Sequence, residues 1–116
     1  MITKIYHSFT FALNGLKTTW KEEQNFRIEI LIGAIVVFCI LFFKFSLVET
    51  LFSVVAVTIV LISEIINTAV EDLCNKVQPE HDPIIGKVKD TMAAFVLVSS
   101  LGAGIVGILV FYNHFI

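Results

Sequence analysis

Thr91 to Asn113 reads TMAAFVLVSSLGAGIVGILVFYN, 23 residues without a formal charge. As a helix rising 1.5 Å per residue it covers about 35 Å, enough for the hydrocarbon core of a bilayer. This stretch predicts a membrane-spanning helix. Two more charge-free runs, Ile30 to Phe43 and Thr50 to Ser63, hold 14 residues each. They are too short alone and span only if their helices run past the charges at their ends. Arg27 and Glu29 can sit at a polar interface, and beyond Glu64 the chain stays apolar through Ile65, Ile66, Ala69 and Val70. Three spans follow, over about 27–44, 48–75 and 88–114, with a loop over about 76–87.

Composition agrees with this reading. In 116 residues, 57% are hydrophobic and 16% charged, against roughly half and a quarter in soluble domains. The mean hydropathy of +0.90 excludes a disordered chain, and the scattered lysines exclude a polybasic nucleic-acid surface. The chain is long enough for one domain, an all-α membrane protein. Ahead of the first span, Ile5, Phe9, Ala12, Leu13 and Leu16 recur at three- and four-residue steps, with Lys4, Asn14, Lys17 and Lys21 elsewhere on the wheel and Trp20 at its end. That pattern predicts an amphipathic helix over about 3–21, lying on the membrane surface and retained in the mature chain.

All basic residues but Lys44 fall in the N-terminal segment or around 76–89, which three spans place on one side, the cytoplasmic side of the membrane. The Lys44 to Glu49 connection and the tail from Tyr112 then face outward, with His114 as an outward interfacial residue. Cys39 and Cys74 fall near opposite membrane faces and read as packing residues. Ser99, Ala103 and Gly107, beside Ser100 and Gly104, read as a seam of small residues for close helix packing, or as a groove for lipid tails.

The chemistry concentrates between Ser63 and Asn75. Glu64, Asn67, Glu71 and Asn75 are separated by three, four and four residues, which puts a carboxylate, an amide, a carboxylate and an amide on one helical stripe. Counting inward from Thr50 sets the inner hydrocarbon boundary near residue 70, so Glu64 lies about 9 Å inside it. A glutamate at that depth costs a few kcal/mol to insert and calls for a function or a partner. A second polar cluster, Glu22, Glu23, Gln24, Asn25, Arg27 and Glu29, joins the surface helix to the first span. A third, Lys76, Glu80, His81, Asp82, Gly86, Lys87, Lys89 and Asp90, is interrupted by Pro79 and Pro83. Carboxylates from two segments and lysines from a third suit a magnesium ion shared with phosphates. There is no Walker motif, since Gly86-Lys87 is followed by Val88. Pattern alone leaves an enzyme, a small cation- or proton-coupled transporter subunit and a structural membrane subunit open.

The run Glu64-Ile65-Ile66-Asn67-Thr68-Ala69-Val70-Glu71, then Pro79-Glu80-His81-Asp82-Pro83 and Gly86-Lys87-Val88-Lys89-Asp90, resembles the prokaryotic diacylglycerol kinase and undecaprenol kinase family. Gly15-Leu16-Lys17, Trp20 and Glu23-Gln24-Asn25-Phe26-Arg27 extend the likeness, which runs from about residue 6 to 112. The resemblance implies a homotrimer with active sites shared between neighbouring chains at the inner face of a bacterial membrane, using ATP and Mg2+. By position, Glu64 resembles the proton acceptor for a lipid hydroxyl and Asn67 the residue orienting it or the acceptor. Glu23 and Glu71 resemble the metal-holding carboxylates. Lys89 matches the lysine on the nucleotide phosphates. Asp90, Gly86, Glu80, His81 and Asp82 match the part that holds adenosine, with Lys4 and Phe11 near the nucleotide. Glu29, Asn75, Trp20 and Ala12 fall at supporting or lipid-proximal positions. Asn75 stands where many members have aspartate, and Phe11 where tyrosine occurs. The variants around Asn25 and Glu80 look more like the undecaprenol branch than the diacylglycerol branch.

Overall fold

The structure, a computed structural model, describes residues 1–116 as four helices: α1 Ile2–Glu22, α2 Gln24–Phe42, α3 Leu47–Val77 and α4 Pro83–Phe115. The last three are long and apolar enough to cross a membrane. By rise per residue α2 covers about 28 Å, while α3 and α4 reach about 46 and 50 Å, so their ends stand beyond a bilayer core of about 30 Å. The molecule is a slab of 52 × 42 × 21 Å. Only 12 of 116 residues are buried, too few for an aqueous globule, and the large apolar side chains point outward along every helix. On α1, Ile5, Phe9, Leu13 and Leu16 are exposed, so nothing in the chain itself covers that apolar face.

α3 is the central element. It carries eight of the 12 buried residues and touches the other three helices. Its start is a capping box: the Glu49 N–H donates to Ser46 Oγ at 3.1 Å and the Ser46 N–H donates to Glu49 Oε1 at 2.8 Å. The turn between α1 and α2 uses neither Gly nor Pro. Glu23 alone is extended, at φ −113° and ψ 109°, and Arg27 reaches back to donate to the carbonyls of Trp20 (2.7 Å) and Lys21 (3.3 Å). A cation on the free carbonyls at the end of α1 complements the helix dipole there.

Two readings of the sequence change and a third is refined. The loop is narrower than 76–87: α3 runs to Val77, and Pro83 opens α4 instead of breaking a helix, because its missing N–H falls where no helical partner exists. Asp82 Oδ1 caps that start, accepting from the N–H groups of Ile84 (2.9 Å) and Ile85 (3.1 Å). His114 keeps its place at the outer end but has a partner there: its Nδ1 lies 3.0 Å from Oε1 of buried Glu49, and Asn113 Nδ2 donates to Glu49 Oε2 at 3.0 Å, so the outer ends of α3 and α4 are tied together. The small-residue stripe of α4 is not a packing seam within the chain. A Cβ placed on Gly104 or Gly107 would meet nothing within 4 Å.

The close approach lies on α2 instead. A Cβ on Gly33 would stand 3.1 Å from Val57 Cγ1 of α3. Gly33→Leu is therefore expected to push α2 off α3 and lower stability by about 1–3 kcal/mol, the usual cost of overpacking. Gly102→Leu, at an exposed glycine with open space around it, should leave the thermal midpoint in place. Thermal unfolding of the two variants in the same lipid or detergent checks this.

Candidate active site

Gly33 lies one turn outward from Glu29, and the contact it permits brings Glu29 of α2 against Glu64 of α3. Glu64 is 1% exposed. The two carboxyls sit within hydrogen-bonding reach of each other, and apart from that shared contact one buried oxygen of each, Glu29 Oε2 and Glu64 Oε1, meets no donor. Counted from the expected start of the first span near residue 27, Glu29 lies about 3 Å inside the membrane, in the same inner half as Glu64. Two acids facing each other in an apolar layer with no other donor can take up a proton or a hydroxyl between them.

Two turns further along α3, Glu71 is half-buried at the polar end of the same face. Asn67 Nδ2, of the amide read as orienting Glu64 or the acceptor, donates to Glu71 Oε1 at 3.3 Å. Glu23, in the joint between α1 and α2, is set against Glu71, and Glu22 against Asp72. Burial, then the facing Glu71 carboxyl, pushes Glu23 up from 4.5 to about 7. Glu22 is raised as well, first by its hydrogen bond with Asp72. Lys89 of α4 donates to Asn75 Oδ1 at 2.8 Å, which brings an ammonium to α3 one turn beyond Glu71.

One chain thus brings Glu23, Glu29, Glu64, Asn67 and Glu71 into one column, with Lys89 and Asn75 at its polar end. The other residues read from the sequence stand apart. Glu80, His81, Lys4, Phe11, Ala12 and Trp20 are exposed, as are Lys89 and Asp90, and Phe11 stacks on His7 with ring centroids 6.4 Å apart. Asp82 is spent on the cap of α4, and Gly86 is half-buried in the first turn with open space where a Cβ would be. Sequence reasoning put Glu29 at a polar interface, among the supporting or lipid-proximal positions, and missed its pairing with Glu64. The signal was available in depth, since Glu29 and Glu64 count to the same inner half of the membrane on antiparallel helices.

Residues 10–111 match the prokaryotic diacylglycerol kinase family. The chain belongs to that family. It is 30% identical to the diacylglycerol kinase of Haemophilus influenzae over 112 residues, 95% of each chain. It is 28% identical to the diacylglycerol kinase of Escherichia coli K12 over 115 residues, 97% of this chain and 93% of that one. The undecaprenol kinase of Bacillus subtilis is 26% identical over 110 residues, 95% of this chain and 89% of the other. A member of a lipid kinase family needs a base, an acceptor site and a place for charged phosphates, and the column supplies separate carboxyl pairs at two depths. The transporter reading finds no support in these likenesses.

The kinase's donor set fits magnesium. No group of three or more His, Cys, Asp and Glu side chains gathers that could hold a metal by itself. Magnesium does not need one: it takes one or two carboxylates, keeps water and shares phosphate oxygens. The Glu23–Glu71 pair, at the polar end, would offer such a partial site. With Glu23 raised, the cation-free pair holds a proton that steadies the fold below pH 4.5, and that contribution is lost as pH rises through about 7. Thermal midpoints without magnesium should therefore fall over that interval, and the midpoint gained by adding magnesium should grow over it, because the cation replaces the proton. Unfolding curves at pH 5 to 8, with and without the ion, check this.

Proposed function

We propose that this protein is an ATP- and Mg2+-dependent lipid kinase that transfers the γ-phosphoryl group directly to the hydroxyl of a membrane lipid alcohol, undecaprenol ahead of diacylglycerol. The observation that carries the reading is the buried Glu64, with an oxygen that meets no donor besides Glu29, two helical turns from a Glu71 that reaches the polar end. A membrane alcohol keeps its tail in hydrocarbon and its hydroxyl near the headgroup boundary. A base about 9 Å inside that boundary meets the hydroxyl without extracting the lipid.

Glu64 takes the hydroxyl proton as the alcohol oxygen bonds to the γ-phosphorus, the bond from that phosphorus to the bridging oxygen breaks, and ADP leaves. Glu29, beside Glu64, holds the hydroxyl against the base. Glu23 and Glu71 would hold the magnesium ion, and Asn67 fixes the Glu71 carboxylate through its hydrogen bond. When bound, magnesium neutralises phosphate charge as it moves toward the leaving oxygen. Lys89, released from Asn75, reaches the phosphates, and the Glu80–Asp82 loop, Gly86, Asp90, Lys4 and Phe11 lie on the side where adenosine would sit. The direct route needs no phospho-enzyme, so positioning and electrostatics supply most of the rate.

The exposed apolar flanks of α2, α3 and α4 leave room for a homotrimer with sites shared between protomers, at the cytoplasmic face of a bacterial inner membrane. Undecaprenol is favoured by the Asn25 and Glu80 variants, and the relatives include both a diacylglycerol kinase and an undecaprenol kinase. Purified protein in vesicles with Mg2+ and γ-labelled ATP is expected to label a lipid alcohol, and undecaprenol faster than diacylglycerol. Label released only as inorganic phosphate would count against the reading.

A further inference from the structure

α2 and α4 flank α3 with no Cα of one within 8 Å of a Cα of the other, and between them lies a cleft of about 450 Å³. Its wall includes Glu29 at one end, Cys39 and Val36 along α2, and Gly104 and Gly107 along α4. The other end is closed. Phe43, just past α2, meets Phe115 of α4 with ring centroids 4.9 Å apart, Phe111 packs on Phe115 at 4.5 Å, and Phe45 lies 4.8 Å from the His114 ring. That closure is held by Glu49, whose carboxylate binds His114 and Asn113.

We propose that this cleft takes the tail of a single-chain polyprenyl alcohol, led from Glu29 past the bilayer midplane to the Phe43–Phe115 stop, with Gly104 and Gly107 setting the choice of acceptor. The inference rests on the lipid-kinase reading and goes beyond it, because it concerns what recognises the tail.

Continuity comes first: Glu29 lines the cleft and faces Glu64, so a hydroxyl at the carboxyl pair has its tail in the cleft. Depth comes second. From Glu29 to Phe43 is about 21 Å of helix, starting about 3 Å inside the boundary. The cleft therefore ends well past the midplane, which lies about 15 Å in. A diacylglycerol, anchored by its headgroup, spreads two chains in its own leaflet, whereas one long prenyl chain can follow the cleft across. The floor comes last, since Gly104 and Gly107 leave open space where any larger side chain would fill the path.

The test has two arms in vesicles containing the full-length protein. In the first, Gly104→Leu and Gly107→Leu are compared with Gly102→Leu, which lies off the cleft. The ratio of turnover on undecaprenol to turnover on the short prenol farnesol is expected to fall about tenfold for the first two and to stay at the wild-type value for the third. An unchanged ratio would overturn the proposal, as would a changed oligomeric size, which would make the cleft an interface between copies. The second arm needs no catalysis. A polyprenol bearing a diazirine about 20 Å from its hydroxyl should crosslink on illumination to the segments around Cys39–Phe43 and Ala103–Phe111, with undecaprenol competing and diacylglycerol not. Crosslinks elsewhere, or equal competition by diacylglycerol, would overturn it. Failure of the kinase reading would look different, as wild-type protein would then phosphorylate neither alcohol.

Discussion

Glu64→Gln is expected to lower lipid phosphorylation by about 10²–10⁴-fold, the range for removing a positioned general base, while Mg-ATP binding stays near the wild-type level. The substitution keeps size and hydrogen-bonding capacity but cannot accept the hydroxyl proton. Glu64 Oε1 meets no donor besides Glu29 and the Glu64 backbone carbonyl already accepts from Thr68 Oγ1 at 2.9 Å, so the helix itself has no need of the charge. An amide is also cheaper to bury than a carboxylate, and the variant should unfold no more readily than the parent. Turnover measured beside nucleotide binding separates the two roles. Equal loss of both would place Glu64 on the metal instead.

Glu71→Gln is expected to act in the opposite way. Its carboxylate accepts from Asn67, faces Glu23 and lies one turn from the Asn75–Lys89 contact. Losing the charge removes at least one charge-assisted contact of about 1.5–3 kcal/mol, or about 10–100-fold. The Mg2+ concentration for half-maximal activity should rise by at least that factor, with the acceptor's KM changed far less. A variant whose magnesium requirement stayed put while its acceptor KM rose would reverse the assignments of Glu64 and Glu71.

These contrasting expectations come from two depths on one helix, and depth is what the sequence conveys well. Charge-free runs located the spans because a charge in hydrocarbon is costly, and the spacing of Glu64, Asn67 and Glu71 put them on one stripe because helical geometry is local. Crossings between helices are another matter. Gly33 permits the close approach of α2 to α3, yet in sequence it is one small residue in an apolar run. The stripe of Ser99, Ala103 and Gly107 looked more like a contact seam than Gly33 did, because small residues serve equally for packing and for leaving space. Which one applies depends on how closely α2 approaches α4, and no Cα of one comes within 8 Å of a Cα of the other. Asn113, His114 and Glu49 are more than 60 residues apart and meet only because α3 and α4 are antiparallel and similar in length. The narrower loop was closer to legible: Asp82-Pro83 is an N-cap followed by a first-turn proline, and that reading competes directly with proline as a helix breaker.

The central claim is that one acidic pair inside the membrane receives the alcohol while a second, at the water boundary, holds the metal and its phosphates. A structure of the protein in a lipid bilayer with Mg2+, a non-transferable ATP analogue and a polyprenyl alcohol tests it most directly. The hydroxyl oxygen should lie about 3 Å from the Glu64 carboxyl, with the metal on Glu23 and Glu71 and the terminal phosphate between them. A metal on Glu64, or a hydroxyl on the far side of α3 from that carboxyl, would contradict the account.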